Sequence, residues 1–522
     1  MNAYNPNASR KADMLVWPIQ HVLVGLLVFT AFWVFTGGYS FRSKIPLINP
    51  RNPFDLGYNK ARKQALFDTP NMIKHGLTKF RVFRIMTYDG CQLVLAPEFA
   101  KEIRNSSFLS IDRFIAQRFH ADIKGFEPYK QITASKRLFT DVIRAKLMQP
   151  LVTLIKPMSD EVVIALQAEW TDSPEWRCLA LRPHISMIIA QLSSRIFLGE
   201  QFCRNSNWLN IAVHYTTDSV IASNELRVWP KALRHIMAQC LPSCRKIRAQ
   251  LQEARNVIIP ILKERQISKE AALREGKPSY IYDDAFEWMI EHARGRPYDP
   301  VMAQLALAAV GIHSTSDMLI QALYDLCGRD ELVQALRDEV ISVIQQEGLT
   351  ISALQKLQLM DSTLKESQRL KPVQVAGMQR IADDNFVLSD GTTIQKDTTV
   401  IVSSARMWDS SVYPDPETFD AYRFLKMRQR PGNETYSQVT TPTPDHLGWG
   451  LGKHACPGRI FAVSEVKLVL CHILLKYDFK LADGMIPRPV SFGTALMADP
   501  NVMLMVRRRS DSTSALLEKS EP

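Results

Sequence analysis

The sequence predicts a mainly α-helical protein with small β-sheets and one N-terminal transmembrane helix. Three observations lead to this prediction. Residues 14–36 form a long apolar run, residues 80–95 carry β-branched and aromatic residues on both sides of Asp89-Gly90, and strong helix start and stop signals flank residues 300–326. The second pattern is typical of a β-hairpin. Beyond the hairpin, the hydrophobic pattern is mostly helical.

The composition limits the function classes. The chain has 522 residues and 46% hydrophobic content, so it can bury a large core. Its eight cysteines have no paired spacing apart from Cys240 and Cys244, which fits a reducing compartment and neither a disulfide framework nor a zinc site. A net charge of +11 favours a membrane or an acidic protein partner. No nucleic-acid motif accompanies this charge, so we expect no nucleic-acid partner.

Residues 14–36 contain no Lys, Arg, Asp or Glu. At about 1.5 Å per residue, this run reaches roughly 34 Å as a helix, enough to span a bilayer. A cleaved signal peptide is the alternative, but no small-residue cleavage site follows. We therefore predict a short N-terminal segment at 1–13, an uncleaved anchor at 14–36 and a proline-rich hinge at 37–53, which precede the remaining residues 54–522.

The segment 300–326 is predicted to be a long central helix. Asp299 precedes Pro300 as an N-cap, and Cys327-Gly328 is a plausible stop. The first half is apolar nearly all round, which predicts burial. His313, Ser314 and Thr315 then interrupt the apolar pattern, and such local conflicts are typical of functional sites. The alternative is that the two hydroxyls bond back to carbonyls one turn earlier.

The loop 449–459 surrounds a single cysteine, Cys456. Pro457 fixes the exit direction of the chain. Glycines let the backbone wrap tightly around the sulfur, and they are Gly450, Gly452 and Gly458. A lone thiolate without a second cysteine at metal-ligand spacing suits a metal that brings most of its own ligands, as haem iron does. The apolar segment after the loop predicts a buried helix.

A shorter helix is predicted before Pro372, with Asp361 as its cap. Glu366 and Arg369 lie three residues apart on one face of it, where they can pair. On a surface, such a pair would contribute at most about 1 kcal/mol.

In this combination the motifs resemble the cytochromes P-450, the haem-thiolate monooxygenases. The loop matches the family's cysteine signature, with Trp449 where the family usually has Phe. Residues 310–315 match the central-helix pattern, with His313 in the place of the acid and Ser314 in that of the first threonine. This variant is similar to that of fungal secondary-metabolism enzymes. The resemblance implies the cytochrome P-450 fold for residues 54–522.

The resemblance also implies roles for these residues. Cys456 would be the axial ligand of haem b, and Ser314 and Thr315 would deliver protons during oxygen activation. His313 would either stand in for the missing acid or pack as a neutral core residue. Glu366 and Arg369 would be buried and completed by Arg423.

Three residues are candidate ligands of the haem propionates, namely Arg144, Arg380 and His454. Arg144 lies in the basic helical stretch 135–148, but the family's Trp four residues earlier is replaced by Thr140, so a solvated cationic face is the alternative. Residues 373–378 and 491–496 match substrate-facing positions.

The implied function is oxidation of a lipophilic small molecule, such as a terpenoid, polyketide or alkaloid intermediate. Electrons would come from NADPH through a separate cytochrome P-450 reductase, with cytochrome b5 as an additional candidate partner. Lys453 and Arg459 would suit the reductase's acidic face. The resemblance implies the endoplasmic reticulum membrane, with the N-terminus at 1–13 in the lumen and residues 54–522 as one catalytic domain in the cytosol. The alternatives are a haem-thiolate isomerase or dehydratase without external electrons, and a non-catalytic haem-binding protein.

Overall fold

The computed structural model describes residues 25, 44–50, 58–134, 138–147, 151–170, 172–278, 280 and 282–510. Apart from Gly25, the anchor predicted at 14–36 lies outside these residues, as do the N-terminus at 1–13 and the hinge except for 44–50. Within the described ranges, no helix combines the length and the apolar character needed to cross a bilayer.

The described chain is mainly helical, as predicted. Its α-helices are α1 (Asn59–Leu77), α2 (Phe99–Ile103), α3 (Ile111–Arg118), α4 (Glu127–Ala134), α5 (Leu138–Lys146), α6 (Leu151–Trp170), α7 (Leu181–Phe197), α8 (Ser206–Arg227), α9 (Arg234–Cys240), α10 (Pro242–Arg274), α11 (Ala285–Ala293), α12 (Pro300–Leu326), α13 (Asp330–Glu347), α14 (Ile351–Lys356), α15 (Gln358–Leu370), α16 (Arg423–Arg428) and α17 (Arg459–Lys476).

The strands form small sheets. They are β1 (Val82–Thr87), β2 (Gly90–Leu95), β3 (Leu109–Ser110), β4 (Arg177–Ala180), β5 (Ala376–Ala382), β6 (Phe386–Val387), β7 (Thr393–Ile394), β8 (Thr399–Ser403), β9 (Tyr477–Leu481), β10 (Val490–Phe492), β11 (Ala495–Met497) and β12 (Met503–Arg508). The largest sheet has the order β1-β2-β8-β5-β3, and a second has the order β4-β12-β9. The pairs β10-β11 and β6-β7 stand apart.

The predicted hairpin is confirmed. Strands β1 and β2 pair antiparallel, from Val82 opposite Leu95 to Thr87 opposite Gly90. Gly90, with φ of 104°, supplies the left-handed conformation that this reversal requires. β2 then pairs in parallel with β8, which brings the segment after α15 into the same sheet.

The predicted central helix is confirmed as α12. The Asp299 carboxylate accepts hydrogen bonds from the backbone N–H groups of Val301 and Met302 at 2.9 and 3.2 Å, so it caps the helix. Gly328 follows the end with φ of 75°. The helix packs against α4, α7, α8, α15 and α17. It therefore runs through the largest apolar core of the described chain.

The expected cap of α15 is wrong. This helix begins at Gln358, so Asp361 lies inside it. The Glu339 carboxylate of α13 accepts the N–H groups of Leu359 and Met360 at 2.6 and 3.0 Å. The cap thus comes from a neighbouring helix. The predicted end before Pro372 and the buried helix after the cysteine loop, α17, are both confirmed.

Candidate functional site

The loop 449–459 folds back on itself around Cys456. The Cys456 N–H donates to the Trp449 carbonyl at 2.8 Å. Gly450 and Gly452 have φ of 72° and 75°, in the left-handed region that favours glycine. A Cβ on Gly452 would lie 2.6 Å from Arg104, so a side chain is also excluded by space.

Cys456 is half-buried and lies three residues before Arg459, the first residue of α17. Burial raises the pKa of its thiol, whereas the N–H groups of Gly458 and Arg459 and the Arg459 guanidinium act in the opposite direction. Those donors favour a negative sulfur, and a bound metal cation would complete the stabilisation of a thiolate. Within the described ranges, no cluster of three His, Cys, Asp or Glu side chains could hold a metal ion. Cys456 is therefore suited to act as a lone protein ligand.

A cavity of about 190 Å³ brings the cysteine loop and the central helix together. Cys456 and Trp449 line it from the loop, Ser314 and Thr315 from α12, and Val373 from the segment after α15. The thiol and the two hydroxyls thus face one space, although about 140 residues separate them in sequence.

Burial along α12 is interrupted at residues 309–311 and again at residues 313 and 314, with Ile312 buried between them. Val310 is 47% exposed in the middle of a helix that is otherwise largely buried, and Ser314 is exposed as well. A Cβ on Gly311 would meet nothing within 4 Å. The Ser314 hydroxyl donates to the Val310 carbonyl at 3.3 Å, the bonding that the sequence offered as an alternative. This stretch of the helix therefore faces open space, and Thr315 beside it is buried.

His313 does not line the cavity. Its Nε2 lies 2.8 Å from the Val213 carbonyl of α8, so this nitrogen carries the proton and donates. Burial lowers the pKa of His313, and its neutral form is favoured near pH 7. Of the two alternatives for this residue, the geometry supports a neutral histidine packed between helices, and proton delivery by His313 has no support from its position.

Glu366, Arg369 and Arg423 form one buried cluster. The Arg369 guanidinium donates to both Glu366 oxygens at 2.8 Å, and Arg423 Nε donates to Glu366 Oε1 at 3.0 Å. The side chains of Glu366 and Arg369 are 0% exposed, and that of Arg423 is 9% exposed. The surface-pair alternative is excluded by this burial.

Helix α15, which carries Glu366 and Arg369, also binds the segment before the cysteine loop. Lys365 Nζ donates to the carbonyls of Tyr436 and Gln438, both at 2.7 Å. Its amine is buried, which lowers the pKa of Lys365 to about 7. Asp361, expected as a cap, instead accepts the Val439 N–H at 2.9 Å and pairs with Lys467 of α17 at 2.7 Å. Segment 436–441 is thereby bonded to α15.

The three residues considered for the propionates, Arg144, Arg380 and His454, are not among the residues that line the cavity. Arg144 Nη2 donates to the Lys453 carbonyl at 2.8 Å, which ties α5 to the cysteine loop. Arg380 is buried in β5, and burial lowers its pKa to about 10. His454 is half-buried in the turn before Cys456.

The two cations expected to meet a reductase are half-buried. Lys453 Nζ donates to the Ser106 carbonyl at 2.9 Å. Arg459 donates to the carbonyls of Thr440 and Cys456, both at 2.9 Å. Both side chains therefore stabilise the loop itself.

The site fits haem. It offers a lone sulfur beside helix N–H donors, and a Cβ on Gly458 would meet nothing within 4 Å. Three buried polar atoms of cavity residues make no hydrogen bond within the described protein: Gln321 Nε2, Ser367 Oγ and Gln368 Oε1. Open space beside the sulfur suits a large planar group that brings the other ligands of the iron.

Sequence reasoning missed Asp317. This carboxylate lines the cavity and is 7% exposed, one turn after Ser314. The signal was present, because Asp317 is the only acidic residue between Asp299 and Asp325 in an apolar helix.

The two segments expected to face substrate lie together. The Val375 N–H donates to the Thr494 carbonyl at 2.9 Å, and the Leu496 N–H donates to the Val373 carbonyl at 3.1 Å. Val373 and Gln374 reach the cavity.

Comparisons with known proteins agree with this site. The family model described as "Cytochrome P450" matches residues 76–506. The chain is 46% identical over 498 residues to cytochrome P450 monooxygenase adrA of Penicillium rubens, covering 94% of this chain and 97% of that protein. It is 46% identical to cytochrome P450 monooxygenase trt6 of Aspergillus terreus, covering 88% and 94% of the two chains. Cytochrome P450 monooxygenase pyr3 of Aspergillus fumigatus is 41% identical, with 91% and 92% covered.

The predicted fold is therefore confirmed in its mainly helical part by the elements and by the comparisons. A family model spanning most of the sequence, relatives aligned over nearly their whole length, and a cysteine that lines one cavity with the central-helix hydroxyls lead to one conclusion: this chain belongs to the cytochrome P450 family.

Proposed function

We propose that this protein is a haem-thiolate monooxygenase that uses O2 and two electrons to oxidise a lipophilic small molecule. The observation that carries the proposal is the single cavity shared by Cys456, Ser314 and Thr315. The relatives aligned along the chain are named monooxygenases, which supports the reaction class. Haem held by Cys456 supplies the oxygen activation, with electron density from the thiolate favouring O–O cleavage.

The protein's own residues bind, orient and donate protons. The N–H groups of Gly458 and Arg459 stabilise negative charge on the Cys456 sulfur. The exposed Ser314 hydroxyl passes a proton into the cavity after releasing the Val310 carbonyl, a bond of 3.3 Å that is weak by length. Thr315 Oγ1, buried beside it, is a second hydroxyl for the same task.

The electron source in this proposal is NADPH, through a separate cytochrome P450 reductase, with cytochrome b5 as an additional donor. The uncharged run at 14–36 supports a single-pass anchor in the endoplasmic reticulum membrane, with residues 54–522 as a cytosolic catalytic domain. The net charge of +11 suits an acidic redox partner.

We infer the substrate class from the residues that line the cavity and from the related enzymes. Val373 and Met318 contribute apolar surface to the cavity, and an anchored enzyme meets molecules that partition into lipid. The relatives are fungal enzymes, so a terpenoid, polyketide or alkaloid biosynthetic intermediate is the proposed substrate.

The test is oxidation of a panel of such intermediates by microsomes containing the full chain. We expect a product that requires both O2 and NADPH and that carries 18O from labelled O2. A product formed without reductant would identify an isomerase or dehydratase instead. A chain that loads haem but turns over no member of the panel under any condition would support the non-catalytic alternative.

The ligand assignment has its own test. Cys456→Ser removes the soft sulfur ligand with little change in volume. We expect the carbon monoxide adduct of the reduced protein to lose the absorption typical of thiolate-ligated haem. An unchanged spectrum would exclude Cys456 as the ligand.

A further inference from the structure

Two charged side chains hold the backbone of one residue, Ala498. Arg182 Nη2 donates to Asp317 Oδ1 at 2.8 Å and to the Ala498 carbonyl at 2.6 Å. The Ala498 N–H donates to the same Asp317 oxygen at 2.8 Å. The three residues close a ring of hydrogen bonds that joins α7, α12 and the chain after β11, and Ala498 is 0% exposed.

A second contact from α12 lies next to this ring. The Tyr324 hydroxyl, two turns further along the helix, donates to the Asp499 carbonyl at 3.1 Å. The central helix therefore fixes two successive residues of the C-terminal segment. Because α12 is buried and packed on several sides, it provides a rigid reference for that segment.

This segment is bonded to two residues that line the cavity, Val373 and Gln374. Strand β11 ends one residue before Ala498. The Thr494 hydroxyl, at the tip of the β10-β11 pair, donates to Gln374 Oε1 at 2.6 Å, and Gln374 lines the cavity. One short strand, β11, thus separates Ala498 from Thr494, whose hydroxyl contacts the lining residue Gln374. Because the Leu496 N–H of β11 donates to the Val373 carbonyl, a shift at Ala498 would reach Val373 and Gln374 through this strand.

Stability alone does not account for an ion pair at this place. Arg182 and Asp317 are 24% and 7% exposed, so pairing them has a substantial desolvation cost. An apolar pair of similar volume would often be at least as stable, but it could not bind both the N–H and the carbonyl of Ala498. Polar pairs with fixed geometry are better suited to setting one relative position.

We propose that Arg182 and Asp317 are positioning residues that determine substrate specificity, because they set the position of β11 and, through it, of the lining residues Val373 and Gln374. This inference rests on the proposed function, since it assigns a role within the same cavity. Asp317 and Ser314 lie one turn apart on the same helix, so the ring couples β11 to the helix face that carries the proton-donating hydroxyl.

The test compares Asp317→Asn, Asp317→Ala and Arg182→Gln in the haem-loaded full chain. Hydrogen exchange at residues 490–499 is measured first, since the Ala498 amide is itself one of the bonded groups. We expect faster exchange there in Arg182→Gln and Asp317→Ala and a smaller effect in Asp317→Asn, which keeps an acceptor of the same shape. If Asp317→Ala fails to fold, Asp317→Asn and Arg182→Gln still allow the comparison.

The second measurement is binding of two nitrogen ligands of different size, imidazole and 1-phenylimidazole, followed by the shift in haem absorption. Displacement of Val373 and Gln374 should leave the affinity for imidazole unchanged. It should alter the affinity for 1-phenylimidazole by about tenfold, the order of effect of a small misfit in an apolar pocket. The Asp317→Asn/Arg182→Gln double variant should change the affinity for 1-phenylimidazole by less than the two single effects combined, because the two residues act as one unit.

Arg337→Gln is the matched control. Arg337 also joins a carboxylate, Asp478, at 3.0 Å to backbone carbonyls, of Leu474 and Tyr477, but it lies outside the cavity lining. Equal exchange at 490–499 in the wild type and in the Arg182 and Asp317 variants, or an equal rise in Arg337→Gln, overturns the proposal. Parallel changes for both ligands overturn the specificity role. Absence of any spectral shift in the haem-loaded wild type would contradict the proposed function, because no small molecule would then reach the iron from the cavity, while the exchange data would still test the positioning role of Arg182 and Asp317.

Discussion

The Trp449 indole N–H donates to the Val439 carbonyl at 2.7 Å. A phenylalanine, the usual residue at the head of this signature, has no donor to make this bond. Because the Val439 N–H is held by Asp361 of α15, the bond links that helix to the cysteine loop through one intervening residue. The indole thus braces the loop that presents Cys456.

Trp449→Phe should loosen this brace. Removing the donor leaves a fully buried carbonyl unsatisfied, which costs about 1–3 kcal/mol. We expect faster transfer of haem to excess apomyoglobin and a lower melting temperature. Trp288→Phe on α11 is the control, since it loses an indole bond of 2.7 Å to Asp283, away from the loop. Equal haem release in the two variants would contradict the brace.

Glu366→Ala should abolish accumulation of loaded protein. Its removal strands two buried guanidinium groups, at a cost of roughly 3–5 kcal/mol. The measurement is the ratio of reduced carbon monoxide absorbance to total purified chain. Glu287→Ala removes a partly exposed pair with Lys269 and should cost at most about 1 kcal/mol. Abundant, fully loaded but slow Glu366→Ala protein would make this residue catalytic rather than structural.

Proton delivery should depend on Ser314 and not on His313. In Ser314→Ala, and to a lesser degree in Thr315→Ala, more of the electrons from NADPH should appear as hydrogen peroxide, since general acid assistance contributes about 100- to 10,000-fold. His313→Ala should retain wild-type coupling and lose stability, because its contact is to Val213 of α8. Uncoupling in the His313 variant alone would reverse this assignment.

Stability should fall on mild acidification, partly through His120. Burial lowers the pKa of His120 from 6.5 to about 4, and Arg234 and Arg227 act in the same direction. The unfolded chain therefore binds a proton below pH 6.5 that the folded protein excludes until about pH 4. Above pH 6.5 the contribution of His120 to the free energy of unfolding is fully present. It falls by up to about 3 kcal/mol on acidification toward pH 4.

The corresponding measurement is the free energy of unfolding between pH 7.5 and 4.5 in wild type and His120→Asn. Asparagine tolerates the left-handed backbone of this position, where φ is 50°. The variant should be less sensitive to pH than the wild type. Parallel pH profiles would exclude a contribution from His120.

Deleting residues 1–36 should release the protein from membranes only in part. The deletion removes the uncharged apolar run, but Val228, Leu233 and Ile236 remain exposed around the start of α9. The measurement is the membrane-bound fraction before and after washing with salt and carbonate. Full retention that resists both washes would mean that the anchor lies elsewhere.

The sequence was most informative where partners are close in the chain. Asp299 caps α12 through the next three residues, and Gly90 permits the β1-β2 reversal within one turn. The turns of the cysteine loop depend on Gly450 and Gly452 themselves. Glu366 and Arg369 share a helix face because three residues separate them. Backbone geometry alone is sufficient to predict such features.

The sequence failed where a partner arrives through space. The α15 cap comes from Glu339, 20 and 21 residues before the groups it binds. His313 is held by Val213, 100 residues away. Asp317 meets Arg182 and Ala498 at separations of 135 and 181 residues. Local periodicity contains no information on these contacts, so residue type could indicate a function but not the partner.

The position of α12 in the chain has a consequence for biosynthesis. This helix is apolar nearly all round, yet two of the elements that cover it, α15 and α17, are translated later. Cys456 follows the end of α12 by roughly 130 residues, which ribosomes add in on the order of ten seconds. During that interval the apolar surface of α12 that later packs against α15 and α17 is not yet buried by them. Production of the enzyme in a host cell is therefore expected to depend on chaperones that shield nascent chains, and to improve when translation of the last third is fast relative to aggregation.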